Sequence, residues 1–312
     1  MNINRRHALK ALATLPILGG PLSARAEVPA DGRLVEHPQM TSVHVGPRDV
    51  TVWLPPGYEA SPVGWPVLYM HDGQNLFDNA RAGYGVEWGV DEHVSRLGAG
   101  GQIRMPIVVG VHNTPLRLRE YVPADMIRAL PGDIRADLLT LYGGEPLSDG
   151  YLRFLVEELK PFIDRTYRTR RGRDDTVIMG SSMGGLISLY ALMKHPEVFG
   201  SAGCLSTHWP LRIERLDDNR LDRWRETIVQ TWSDVIARGL PDPATHRLYF
   251  DRGDETLDQF YAFFQSRIDT VVSGEGWGPD RFRSLVFPGA EHNEASWNQR
   301  LDTPLTFLLP PE

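Results

Sequence analysis

Thr176-Val177-Ile178-Met179-Gly180-Ser181-Ser182-Met183-Gly184, running on into the apolar segment Leu186 to Met193, decides how this chain is read. The first four residues suit a strand, and the segment after Gly184 suits a helix. Between them lies G-x-S-x-G, the pattern of a nucleophile elbow, which holds a serine on a tight strand-to-helix turn. Side chains two positions before and two after Ser182 are expected to clash in so sharp a bend, which accounts for Gly180 and Gly184. A helix that starts just after Ser182 aims its positive end at the place where negative charge would develop. The competing reading is a glycine-rich turn with a capping serine; the strand and helix on either side favour the elbow.

Strand-like and helix-like segments alternate along the rest of the chain. Ser42 to Leu54 alternates about Gly46-Pro47-Arg48-Asp49 and predicts a hairpin. Pro66 to Met70, Ile107 to Val111, Leu248-Tyr249-Phe250 and Leu285-Val286-Phe287 predict further strands. Leu152, Leu155, Val156, Leu159, Phe162 and Ile163 recur at helical steps, as do Phe260, Phe263, Phe264, Ile268, Val271 and Val272. This alternation implies an α/β fold with a mostly parallel central sheet and helices on both faces. Residues 207–246 are rich in charge and tryptophan and predict a helical insertion or lid. No linker divides 27–312, which reads as one domain, and no internal repeat appears.

A serine hydroxyl needs a general base. In folds that place serine, acid and histidine in that chain order, the base follows the last strand. His292 occupies that position, in Pro288-Gly289-Ala290-Glu291-His292-Asn293-Glu294. The acid should follow the preceding strand, where Asp251-Arg252-Gly253-Asp254-Glu255-Thr256-Leu257-Asp258 offers several carboxylates. Thr256-Leu257-Asp258-Gln259 fits a helix capping box, which would put Asp258 in a first helical turn and leave Glu255 free for the histidine. An oxyanion hole needs two backbone N–H donors. One is expected from Met183, and the second from Gln74, in the turn after the Val67 to Met70 strand that Gly73 permits. Trp88, Tyr121, His208 and Trp209 are weaker candidates for pocket walls, since aromatic residues more often belong to a core. Arg117 and Glu120 are expected to serve in structural ion pairs, and Cys204 to be a buried small hydrophobe.

Composition narrows the classes. The chain has 312 residues, 41% hydrophobic and 23% charged, enough to bury a large core. Its net charge of −7 and lack of basic runs argue against a nucleic-acid partner. One cysteine cannot form an internal disulfide, no Cys/His cluster has zinc-ligand spacing, and no cofactor motif is present. At the start, Arg5, Arg6 and Lys10 precede a broken apolar stretch, and Ala24-Arg25-Ala26 gives a small-x-small cleavage pattern. Residues 1–26 therefore predict an export signal, too short and too interrupted to span a membrane. Asn4-Arg5-Arg6-His7-Ala8-Leu9-Lys10 resembles a twin-arginine signal, with Ala8 where phenylalanine is usual. Export implies a periplasmic or extracellular location.

From about Val50 to Leu301 the chain resembles the putative esterase family of the α/β-hydrolase fold, related to feruloyl and acetyl-xylan esterases, S-formylglutathione hydrolases and siderophore esterases. The strings that carry the resemblance are Leu68-Tyr69-Met70-His71-Asp72-Gly73-Gln74-Asn75-Leu76-Phe77-Asp78, Arg117 to Pro123, Tyr151 to Tyr167, the elbow, and Gly289 to Trp297. The resemblance implies a serine esterase with Ser182 as nucleophile and His292 as base. Many relatives carry the acid three residues after the strand-ending glycine, where this chain has Thr256. A loop two residues longer would give the role to Asp258, whose following Gln259 and Phe260 match formylglutathione hydrolases. The capping argument points to Glu255 and the resemblance to Asp258. The implied substrate is a small-molecule or glycan-linked ester. An acyltransferase of the same fold and a non-catalytic binding module are the alternatives.

Overall fold

A computed structural model describes residues 32–212 and 218–312. The predicted export segment 1–26 lies outside the described residues. The strands are β1 (Arg33–Met40), β2 (Arg48–Leu54), β3 (Val67–His71), β4 (Ile107–Val111), β5 (Thr176–Ser181), β6 (Ser201–Leu205), β7 (Arg247–Arg252) and β8 (Phe282–Val286). They form one sheet in the order β1-β2-β4-β3-β5-β6-β7-β8. β1 and β2 are antiparallel at one edge, and β3 to β8 run parallel. This is the α/β-hydrolase fold.

The central strands are buried on both faces, which is why they read as continuous apolar runs. Val67, Tyr69, Val109 and Ile178 pack on one face with Leu155, Leu186 and Ile187. Leu68, Met70, Val108, Val177 and Met179 pack on the other with Val90, Val94, Leu305 and Leu308. Successive strand residues therefore feed two separate cores, one on each side of the sheet.

Two sequence expectations change. The hairpin's first arm is β1, not the residues after Ser42. The Ser42 hydroxyl accepts the N–H groups of His44 (2.9 Å) and Val45 (3.2 Å), which curls the segment into a turn despite its alternation. The predicted insertion holds a helix, Asp218–Gly239, which buries Trp224, Ile228, Trp232 and Ile236 at four-residue steps. It packs on the helices Ala262–Gly274 and Ala124–Ala129. No described residue of 207–246 lines the cavity that contains Ser182, so the described part of this stretch fits the helical insertion rather than the lid.

Candidate active site

Ser182 joins β5 to the helix Met183–Lys194 with φ 56° and ψ −120°. An L-residue reaches this backbone geometry only under strain. The turn is held by the Ser182 N–H to Leu205 O (2.9 Å), and its carbonyl accepts from Gly185 N (3.1 Å) and His208 N (3.2 Å). A Cβ on Gly180 would stand 2.9 Å from the Gly184 carbonyl carbon, so glycine is required there. A Cβ on Gly184 would meet only ordinary contacts at 3.4 Å and beyond. The tighter glycine is the next one, Gly185, whose Cβ would lie 2.7 Å from Thr207 Oγ1. Met183 is the first residue of its helix, and the N–H there has no intrahelical acceptor.

The loops after β7 and β8 meet beside this turn. His292 Nδ1–H donates to Asp258 Oδ1 at 2.6 Å, and Asp258 is fully buried. The other carboxylate oxygen accepts from Ser206 Oγ (2.5 Å) and Gly253 N (2.6 Å). Burial raises the Asp258 pKa, but the bond to His292, its charge, Ser206 and the Gly253 N–H outweigh burial and hold it below the usual range. Ser206 Oγ itself accepts from Trp297 Nε1 (3.0 Å) and Arg300 Nη2 (2.8 Å). Arg300 is paired in turn with buried Asp251 at 3.0 Å. A chain of buried polar groups thus fixes the one carboxylate that touches the histidine. The His292 ring lies edge-on between Tyr261 (5.6 Å) and Trp297 (5.1 Å).

Asp258 sits in a short 3-10 turn, Thr256–Phe260, that precedes the helix proper. Asp258 does fall in a first turn, but the capping box fails because Thr256, the residue expected to cap, lies inside that turn with φ 49°, and exposed Glu255 makes no bond to His292. Thr256 Oγ1 instead accepts the His292 N–H at 2.8 Å.

Gly253 allows the two loops to touch. A Cβ there would fall 2.0 Å from Ala290 O and 3.1 Å from Asp258 Oδ2. Gly253→Ala is therefore expected to push the His292 loop outward, lowering Tm and costing at least about 100-fold in kcat, the scale of ångström misplacement. Unchanged ester turnover by this variant would show that the loop contact does not position the histidine.

The turn after β3 supplies the opposite wall. Asp72 holds φ 57°, and Gly73 is needed for close approach, since its Cβ would lie 2.4 Å from the Gly110 carbonyl carbon. The positive φ thus falls one residue before the glycine expected to take it. Arg117 Nε and Nη2 donate to the two Asp72 oxygens at 2.7 and 2.8 Å, and Asn113 Nδ2 donates to Oδ1 at 2.6 Å. Burial raises the Asp72 pKa, and the Arg117 charge and these bonds more than offset it. Glu120 pairs with buried Arg48 at 2.6 Å, so Arg117 and Glu120 serve separate ion pairs.

Ser182, His292, Gln74, Asn75, Arg117, Glu294 and Trp297 line one cavity of about 790 Å³. That volume suits a small organic ligand. Trp88 also lines it and stacks on Trp297 with centroids 5.4 Å apart. Tyr84, 81% exposed, stands at its edge.

The other pocket candidates lie elsewhere. Trp209 is fully buried against Trp232 and Phe250, with its Nε1 donating to Gln265. Tyr121 is fully buried beneath Arg117, the guanidinium 5.1 Å from its ring centre. His208 is buried behind the elbow on Tyr261 Oη at 2.7 Å, and burial drops its pKa to about 3. All three support walls rather than form them. Cys204 is buried within β6. The reading of single residues missed Asn113, Asn75, Glu294 and Trp297, although the strings that resemble the family contain all but the first.

Residues 45–308 match the family model described as "Putative esterase". Over 285 residues the chain is 31% identical to the uncharacterized protein YbbA of Bacillus subtilis (strain 168), covering 89% of this chain and 96% of that one. Over 172 residues it is 27% identical to the ferri-bacillibactin esterase BesA of the same organism, covering 52% of this chain and 55% of the relative. Among solved structures a ferulic acid esterase superposes with a TM-score of 0.63 at 20% identity, over 89% of this chain and 98% of the other.

Proposed function

The chain belongs to the putative esterase family and is a carboxylic ester hydrolase; on that premise we propose that it works by acyl transfer through Ser182, His292 and Asp258. The observation that carries this reading is the 2.6 Å Asp258–His292 bond in the cavity that Ser182 also lines. With Nδ1 committed to the carboxylate, Nε2 is the nitrogen left to face the serine. His292 Nε2 takes the Ser182 hydroxyl proton as Oγ bonds to the ester carbonyl carbon. The amides of Met183 and Gln74 receive the oxyanion. The C–O bond to the alcohol breaks, and the alcohol leaves with the proton from His292. Water then attacks the acyl-serine by the same route and releases the acid.

Trp88, Trp297 and Tyr84 support an acyl group or sugar with a flat face, and Arg117 supports a polar or anionic substituent on it. Esters of the siderophore or carbohydrate-linked kind combine these features. The basic, apolar and small-x-small order of residues 1–26 supports export to the periplasm or beyond.

The test is covalent labelling with a fluorophosphonate followed by peptide mapping, beside turnover of p-nitrophenyl acetate with and without added alcohols. The reading expects an adduct on the Ser182 peptide and release of free acid. No adduct on a folded protein would point to a binding module, and product passing mainly to dilute alcohol would point to an acyltransferase.

A further inference from the structure

The opposite edge of the sheet holds a second concavity, about 430 Å³, which the reaction above does not use. Ser182, Asp258 and His292 all follow the carboxyl ends of parallel strands. The second concavity is lined instead by residues at the amino ends: Arg104 before β4, Arg173 before β5, Arg247 opening β7 and Arg281 before β8. Parallel strands start at one edge, so four arginines distant in sequence converge there.

Some of this charge is answered. Arg104 pairs with Asp175, and Arg173 with Asp174 at 3.0 Å. Among the described residues no carboxylate forms an ion pair with Arg247 or Arg281. Arg247 Nη1 donates only to the backbone carbonyl of Asp280 at 2.8 Å. Its guanidinium and that of Arg283 lie 5.6 and 4.7 Å from the ring centre of Phe307. Burial, then the charges of Arg281, Arg104 and Arg283, depress the Arg247 pKa, and the nearby Asp280 carboxylate offsets only part of that. Asp174 and Glu312 also line the hollow, Glu312 paired with Arg170 outside it, so four arginines against two carboxylates leave a local surplus of guanidinium groups in a chain of net charge −7.

We propose that this hollow is a non-catalytic binding site for a phosphate group, with Arg247 and Arg281 as its principal donors. Guanidinium forks match the oxygen spacing of phosphate and can engage it in pairs. A bound dianion would also relieve the mutual repulsion of the cluster. The site lies across the sheet from Ser182, so occupancy and ester cleavage are separable.

The test is thermal unfolding and calorimetric titration of the folded chain with inorganic phosphate, against sodium chloride at equal ionic strength. A third arm uses glycerol phosphate, to separate a free anion from a phosphate carried on a larger molecule. Phosphate is expected to raise Tm saturably where chloride does not. Arg247→Ala with Arg281→Ala is expected to weaken binding about tenfold or more, since each loses charge-assisted hydrogen bonds. Turnover of p-nitrophenyl acetate should stay within about twofold of the parent. If the double variant misfolds, Arg281→Ala alone, at a half-buried position, is expected to weaken phosphate binding at least about threefold. Equal Tm in phosphate and chloride, or unchanged phosphate affinity in a folded variant, would overturn the proposal.

Discussion

Ser182→Ala is expected to lower kcat for a simple aryl ester by roughly five to six orders of magnitude, the scale seen when a triad nucleophile is removed. KM should move little, because the cavity walls do not depend on the hydroxyl. The fold should be unaffected, because the bonds that hold the elbow are backbone bonds: Ser182 N to Leu205 O, and the Gly185 and His208 N–H groups to the Ser182 carbonyl. Ser182→Gly sharpens the point. The backbone at φ 56°, ψ −120° suits glycine far better than serine, and such strain costs of order 1–3 kcal/mol. The glycine variant should therefore be inactive and also melt several degrees higher than the parent. A serine kept at a destabilised position has a role that folding does not supply. A Ser182→Ala enzyme with near-parental turnover, free of contaminating parent, would sink the nucleophile assignment.

Positions fixed by local chemistry were open to inspection in the sequence. The elbow declares itself because the strand, the glycines and the helix lie within eighteen residues. The parallel strands declare themselves because burial on both faces writes continuous apolar runs such as Ile107 to Val111. Residues whose role depends on distant partners were harder to place. Trp209 and Trp88 look alike in the sequence, yet one is sealed against Trp232 and Phe250 and the other lines the cavity. What separates them is which side of the sheet each segment reaches after its strand. Arg117 depends on Asp72, 45 positions away. The 207–246 stretch left a helical insertion and a lid both open because charge and tryptophan are mixed there. Trp224 and Trp232 fall at four-residue steps with Ile228 and Ile236, and that stripe marks a face turned into the core.

The choice of acid turns on the same kind of distant partner, and it yields the second large effect. Asp258→Asn is expected to reduce kcat/KM by roughly four orders of magnitude near neutral pH, while Glu255→Gln should stay within about twofold. Asparagine keeps the shape of the side chain but can offer its NH₂ where a carboxylate oxygen now stands. The Asp258 oxygens accept from three donors: His292 Nδ1, Ser206 Oγ and Gly253 N. An amide oxygen can serve only one side of that arrangement. If it stays with Gly253 and Ser206, the NH₂ faces His292 Nδ1 and forces the proton onto Nε2. The nitrogen meant to take the serine proton is then already protonated, and the base is lost. If the amide flips to suit His292, a buried NH₂ confronts the Gly253 N–H, a clash of donors worth about 1–3 kcal/mol of stability. Either way the imidazolium formed during acyl transfer loses its counter-charge. The deficit should shrink at high pH, where hydroxide can replace the missing base. It should be accompanied by slower fluorophosphonate labelling of Ser182, because the defect lies in activating the nucleophile. Glu255, exposed at the start of the turn, has none of these obligations. A reversed ranking, with Glu255→Gln disabling and Asp258→Asn mild, would require the turn from Thr256 to Phe260 to rearrange in solution.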